Sequence, residues 1–459
     1  MKLSSLNFPI QSQRGSVMVI VLMICIGLIS IALYFANSMT MELRAADNRT
    51  SGMAADQAIE GAARYLTTVL SYYGTNGITP TLDQYAAEAV PVGNSLKPEE
   101  NAHFWLIGRD LGGVVVTDPH FAIFDEASKL NLNAEWLNAD LFATNIPGIT
   151  EECAEAIVDW RSTNDTGITS LNYAQMGYLP KHSEFETVGE MRLLYGVTTE
   201  MLEGDDRNRN GVLDANEQDL NGNGQIDPGL LEYFTAVSRE PNTLSDGSSL
   251  TNVNSQTNLQ TVLESHLGSS RASEIIRRVF NSQGGTNNQT TTQFTNLLQF
   301  YVACNSQAQM TADEFSQIYN DITATTNSFT IGRVNVNTAP AAVLACLPGM
   351  NTDLAQQLVD YRVNNSVNLD SFAWIVDALG VGSPALQALA GGDYITGKSY
   401  QFTADVAALG PFGRGYRRVR FIFDTSEGTP KIIYRQDLSR LGWALGRQVR
   451  ETWVTANTR

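Results

Sequence analysis

The sequence predicts an α+β protein: a long N-terminal helix on an antiparallel sheet, with a large α-helical domain inserted between the sheet's strands. Three observations predict it. A run of about twenty uncharged residues, Val17 to Ala36, passes without a break into an alanine-rich helical stretch. Strand-like runs stand towards both ends of the chain. The residues between them, from about Glu126 to Thr396, read mostly as helix.

The N-terminal helix comes first. Twenty residues at about 1.5 Å each match the thickness of a bilayer's hydrocarbon core. A polar leader (1–15) carrying Lys2 and Arg14 precedes the apolar segment (16–36). In an ordinary secretory signal the small-residue cleavage site follows the apolar region. Here it precedes, so a cut between Gly15 and Ser16 leaves the helix on the mature chain, whereas a plain signal anchor would stay uncut. This order of parts resembles a type IV prepilin or type II secretion pseudopilin leader. Lys2 and Arg14 lie on one side of the apolar run, Glu42 and Asp47 on the other, so the leader stays cytoplasmic and the bulk is exported. The helical pattern continues to Gly74 with no proline after Ser16, giving one helix of roughly 55 residues, half in the bilayer and half amphipathic.

The head follows. Its first part (37–125) adds strand-like runs at 102–107, 114–116 and 120–124; its last part (397–459) adds 400–406, 418–423 and 431–435. Two Asn/Ser/Thr/Gln-rich stretches, 243–257 and 281–295, read as surface loops. Formal charge is −18, from 30 basic and 48 acidic side chains, which excludes a non-specific nucleic-acid binder. Cys25 falls in the membrane segment; Cys153, Cys304 and Cys346 allow at most one intrachain bridge.

The inserted helical region (126–396) contains a repeat. Asn131-Leu132-Asn133-Ala134, Ile146-Pro147-Gly148-Ile149 and Asp159-Trp160-Arg161 recur as Asn335-Val336-Asn337-Thr338, Leu347-Pro348-Gly349-Met350 and Asp360-Tyr361-Arg362. The apolar-Pro-Gly-apolar turn permits positive φ at glycine between two close helices, a helix-hairpin-helix signature. Such hairpins often bind DNA phosphate, but Glu151, Glu152, Glu155, Asp159, Asp353 and Asp360 surround these two, so packing or partner docking is the expected role.

The sharpest chemical motif is Asp206 to Glu217, which satisfies the calcium-loop pattern D-x-[DN]-x-[DN]-G-x₅-E. Asp206, Asn208, Asn210, the Val212 carbonyl, Asp214 and a bidentate Glu217 would supply oxygens to a structural Ca²⁺, Gly211 allowing the bend and Leu213 facing the core. A second loop follows at once, through 230: Asp219, Asn221, Asn223, the Gln225 carbonyl and Asp227. Its twelfth position is Leu230, so Glu232 would have to substitute. No catalytic constellation is present in the sequence, and His103, His120, His182 and His266 lack ligand spacing.

The combination resembles the K-type minor pseudopilins of type II secretion (general secretion pathway protein K). The residues that carry the resemblance are Arg14-Gly15-Ser16, Phe124 to Asn133, Ala156 to Arg161, Glu186 to Val197 and Arg333 to Pro340. With Ser16 as mature residue one, the fifth position holds Ile20, and this family lacks the glutamate other pseudopilins carry there. A buried carboxylate in the bilayer needs a partner such as the next subunit's N-terminal amine; a subunit without it can sit at a filament tip. The resemblance implies a pilin-like domain and no enzymatic activity. It implies cleavage and methylation by a prepilin peptidase, and a single-pass inner-membrane anchor with a periplasmic head. Its implied partners are I- and J-type minor pseudopilins, in protein export, with no nucleic acid. The alternative is a membrane-anchored DNA-uptake component using its hairpins on DNA.

Overall fold

The computed structural model describes residues 14–74, 77–109, 119–163, 169–220, 222, 226–280, 293–365 and 367–455. Helix α1 runs Arg14–Tyr73, 60 residues, slightly beyond the length expected. Its first half is bare: the apolar side chains from Val17 to Phe35 are all more than half exposed, and this stretch is long and apolar enough to cross a membrane. Its second half buries Ala55, Ala58, Ile59, Ala62, Leu66 and Leu70, the i, i+3, i+4 stripe of an amphipathic helix.

That stripe lies on a six-stranded sheet. Its strands are β1 (Val90–Val92), β2 (Ala102–Ile107), β3 (Phe124–Asp125), β4 (Gln401–Gly410), β5 (Arg414–Asp424) and β6 (Lys431–Asp437), all antiparallel, in the order β1-β2-β4-β5-β6 with β3 beside β4. Phe402, Ala404, Val406, Val419, Phe421 and Phe423 face α1. The β4–β5 hairpin hugs the helix so closely that a Cβ on Gly410 would stand 2.2 Å from the Ser51 carbonyl oxygen. The strand expected at 114–116 lies outside the described residues; 120–124 forms a bridge at Phe121 and then β3.

Between β3 and β4 the chain builds a second, larger core of helices. The two repeat units appear as α2 (Ala139–Ala143) with α3 (Glu151–Arg161), and α4 (Ala341–Ala345) with α5 (Thr352–Asn364). Gly148 and Gly349 take φ of +74° and +79°, as the motif requires. In each unit the closing arginine reaches back to carbonyls of the opening strand: Arg161 to Leu132 (2.5 Å) and Ala134 (2.7 Å), Arg362 to Val336 (2.7 Å) and Ala339 (3.1 Å). Asp125 at the end of β3 locks this core to the sheet, accepting from Ala127 N, Asn335 Nδ2 and Thr338 Oγ1 at 2.5–2.8 Å.

The expectation of a surface loop at 243–257 is wrong in part. Thr251–Asn252 pairs in parallel with Ile322–Thr323, Val253 is fully buried, and Asn252 Oδ1 accepts from Asn254 N. Leu130–Asn131 pairs in the same way with Phe234–Thr235, and Val334–Asn335 with Ile395–Thr396. The Asn-x-Asn unit therefore occurs three times: its first asparagine makes a local turn and its second clamps a distant backbone. Asn133 exchanges two hydrogen bonds with Phe185, and Asn254 two with Phe294. The stretch 281–292 lies outside the described residues. All four cysteines are free, with Cys153, Cys304 and Cys346 buried apart, so the one bridge the count allowed does not form.

Candidate metal centre

The loop from Asp206 to Glu217 has no regular secondary structure and is held by its own polar side chains. Asp206 accepts from the backbone N–H of Asn210 (3.0 Å) and Gly211 (2.6 Å); Asn210 Oδ1 accepts from Val212 N. Glu217 closes the ring, its two oxygens accepting from Asn208 N (3.1 Å) and Asp214 N (3.0 Å). Asp214 accepts from the side-chain amides of Asn208 (2.6 Å) and Asn210 (3.0 Å). Gly211 sits at φ +79°, the left-handed bend the motif needs. Val212, not Leu213, is the residue driven into the interior; Leu213 is half-buried.

The donor set is oxygen throughout: carboxylates, amides and a backbone carbonyl. Among the described residues no three His, Cys, Asp or Glu side chains converge as a metal site, so Asp206, Asp214 and Glu217 are not drawn together around one point. Two features fit a hard cation. Asn208 Oδ1 is buried without a hydrogen-bond partner. Burial pushes the carboxyls of Asp206 and Glu217 above their usual range; the Arg109 charge and N–H donors at Asp206, and N–H donors at Glu217, only partly offset it. Negative charge is under-compensated there.

The second loop is only partly visible. Asn221, Asn223 and Gln225 lie outside the described residues. Asp219 Oδ1 accepts from Gly222 N at 2.7 Å, and Asp227 N donates to Asp205. Asp205, one residue before the first loop, also takes the N–H of Leu220, so it ties the two loops together. Glu232 does not substitute for the missing ligand. It is buried against Arg109 and Arg420, each 3.7 Å away; burial would raise its pKa, but the two guanidiniums outweigh that and hold it far below the usual range.

The sheet supplies what the sequence did not advertise. Arg418 on β5, fully buried, grips Asp405 on β4 through Nε and Nη2 at 2.7 Å each. The same guanidinium donates to the carbonyls of Asn208 and Arg209, so the loop is seated on the sheet face opposite α1. Arg109 also donates to Arg209, and Asn208 Nδ2 reaches Trp443 O at 3.1 Å. The available signal was Arg418 and Arg420 at strand spacing just before the apolar Phe421-Ile422-Phe423, both directed at the face carrying Asp405.

Gly15 and Ser16 lie in the first turn of α1. Around the hairpins the surface is acidic and amidic: Asp353, Gln356, Asp360 and Asn364 line the shallow depression on α5.

A helix-hairpin-helix motif family matches residues 330–391, which span the second hairpin. No curated protein matches the chain. Among solved structures the chain is similar to one in the GspK-GspI-GspJ complex of the type 2 secretion system from enterotoxigenic Escherichia coli. Identity is 10%, the TM-score is 0.39, and the match covers 83% of this chain and 96% of that one.

Proposed function

We propose that this chain is a non-enzymatic minor pseudopilin, a tip subunit of a type II secretion pseudopilus working in protein export. The observation that carries it is α1: one continuous helix, bare and apolar for its first half, seated on an antiparallel sheet for its second. A helix so divided can slide from a bilayer into a fibre without the head refolding. The K-type residues quoted above, and Ile20 where other subunits carry glutamate, support the tip position, with I- and J-type pseudopilins as neighbours and the inner membrane as anchor. The loop at 206–217 holds a structural calcium ion through Asp206, Asn208, Asn210, Val212, Asp214 and Glu217; the second, through Asp219, Asn221, Asn223, Gln225 and Asp227, holds another with one ligand fewer.

The test is processing. Co-expressed with a prepilin peptidase, the mature chain begins at Ser16 and co-purifies with the I- and J-type subunits; an N-terminus elsewhere, or loss of the whole apolar segment, refutes the reading. The DNA-uptake alternative predicts duplex binding that weakens steeply with salt. The acidic hairpin surface opposes it, and no mobility shift at low salt would remove it.

A further inference from the structure

The sheet face away from α1 is partly covered by the end of the chain. After β6 the chain turns at Ser439–Leu441 and then runs helically through Gly446–Val449 and Arg450–Thr455. Ala444, Leu445 and Val449 of this strap are buried against Trp105 and Ile107 of β2 and Ala407 and Leu409 of β4. Trp443 packs on Tyr416 with ring centroids 5.2 Å apart, and Trp453 stands edge-on to Trp105 at 5.9 Å. These apolar contacts tie the strap to the sheet. One polar contact goes elsewhere. The Trp443 carbonyl accepts from Asn208 Nδ2 at 3.1 Å, and Asn208 lies 235 positions earlier, inside the loop from Asp206 to Glu217.

The orientation of the Asn208 amide is fixed by its partners. The residue is 6% exposed, and its Nδ2 donates to Asp214 Oδ2 (2.6 Å) as well as to Trp443 O. A carboxylate and a backbone carbonyl both accept, so the nitrogen must face them. That leaves Oδ1 buried without a partner, in a loop whose other side-chain donors are oxygens too. An amide oxygen so placed is a ligand for a hard cation. Asn210 differs. It also donates to Asp214, at 3.0 Å, but its Oδ1 already holds Val212 N.

We propose that a calcium ion in this loop fastens the C-terminal strap, with Asn208 as the link: its oxygen turned to the ion, its N–H to the Trp443 carbonyl. The proposal rests on the calcium reading given above. A cation at Oδ1 polarises the amide and strengthens the bond its N–H makes to Trp443. The strap carbonyl in turn keeps Oδ1, not Nδ2, towards the ion. Coupling of this kind is reciprocal.

Hydrogen exchange of the full chain in detergent micelles, with calcium and with chelator, reads the link directly. Calcium should slow exchange in residues 206–217 and, by about fivefold, in residues 443–450, the worth of one hydrogen bond. Asn208→Asp keeps an oxygen ligand at a loop position that takes either residue, but has no N–H to give. It should bind calcium and slow the loop, yet lose the slowing at 443–450. Asn210→Asp alters a residue that bonds only within the loop among the described residues, and should keep both effects. If Asn208→Asp does not fold, Asn208→Ser, with an oxygen donor and no amide, takes its place. No heat of calcium binding in the parent chain removes the calcium reading and this proposal together. Calcium binding without slowing at 443–450, or equal loss of that slowing in the Asn208 and Asn210 variants, overturns the proposal and leaves the calcium reading standing.

Discussion

Single side chains decide whether the loop at 206–217 is a metal site or a polar turn. With an ion bound, Asp206→Ala or Glu217→Gln should weaken calcium at least tenfold by isothermal titration, because each removes a carboxylate from a site that gains little from water. No heat of binding in the parent chain refutes calcium outright. Lys398 offers an independent reading of the interior. It is buried over the ring of Tyr319, 4.7 Å from its centroid, and burial pushes its pKa down from 10.5 to about 8, with Arg333 adding to the effect against Glu240 and Asp321. A lysine whose folded pKa is depressed costs stability while the folded state must hold the charge, below pH 8. The cost is relieved as pH rises from about 8 to 10.5, where only the unfolded chain remains protonated. Lys398→Met should therefore stabilise the protein at pH 7, by roughly 3 kcal/mol at about 1.36 kcal/mol per pH unit. That gain should shrink in urea melts as pH approaches 10. An unchanging gain would mean the ammonium reaches water. The polar turn of the first loop, with its positive-φ glycine, was legible because its Asp/Asn/Gly spacing is local. Arg418 and Asp405 were not, because a pair made across two strands leaves no local pattern.

At the level of elements, the two glycine turns separate backbone conformation from packing. Both have positive φ, so a Cβ costs each about 1–2 kcal/mol. Nothing lies within 4 Å of a Cβ at Gly148, but one at Gly349 would come 2.4 Å from Ala388 Cβ. Gly349→Ala should thus be the worse by a further ~1–3 kcal/mol of overpacking, measured by chemical denaturation. Equal losses would place the whole cost in the backbone. The hairpins and α1 could be read from sequence because their signals are local: a Pro-Gly turn, an apolar run, a 3.6-residue stripe. The third Asn-x-Asn unit was missed because Asn252-Val253-Asn254 sits in polar surroundings that look like a loop. Its partner, Ile322–Thr323, is seventy residues away, and parallel pairing of two-residue strands has no periodicity to detect.

For the whole molecule, the question is what joins the two larger of its three hydrophobic cores. One is α1 with the sheet and the other is the helical region; the smallest packs Trp105, Ile107, Ala407 and Leu409 of the sheet against Ala444, Leu445 and Val449. Asp125 pins them at β3, and the polar loop pins them again through Arg418. The second pin is conditional. A bound cation would hold Asp206 and Glu217 without the desolvation cost they carry alone, and would fix the carbonyls of Asn208 and Arg209 where Arg418 meets them. At a hundredfold excess over its dissociation constant, such an ion adds about 2.7 kcal/mol. Chelation should accordingly speed hydrogen exchange both in residues 206–217 and in β5 around Arg418, while leaving the α1 face of the sheet, at Phe402 and Phe421, protected. Arg418→Leu should confine the effect of chelation to the loop. If exchange rises in the loop alone in the parent chain, the ion stiffens a turn and no more, and the joint between the cores rests on Asp125, on Glu126 with Thr403, and on Arg239 with Gln401 and Asp424.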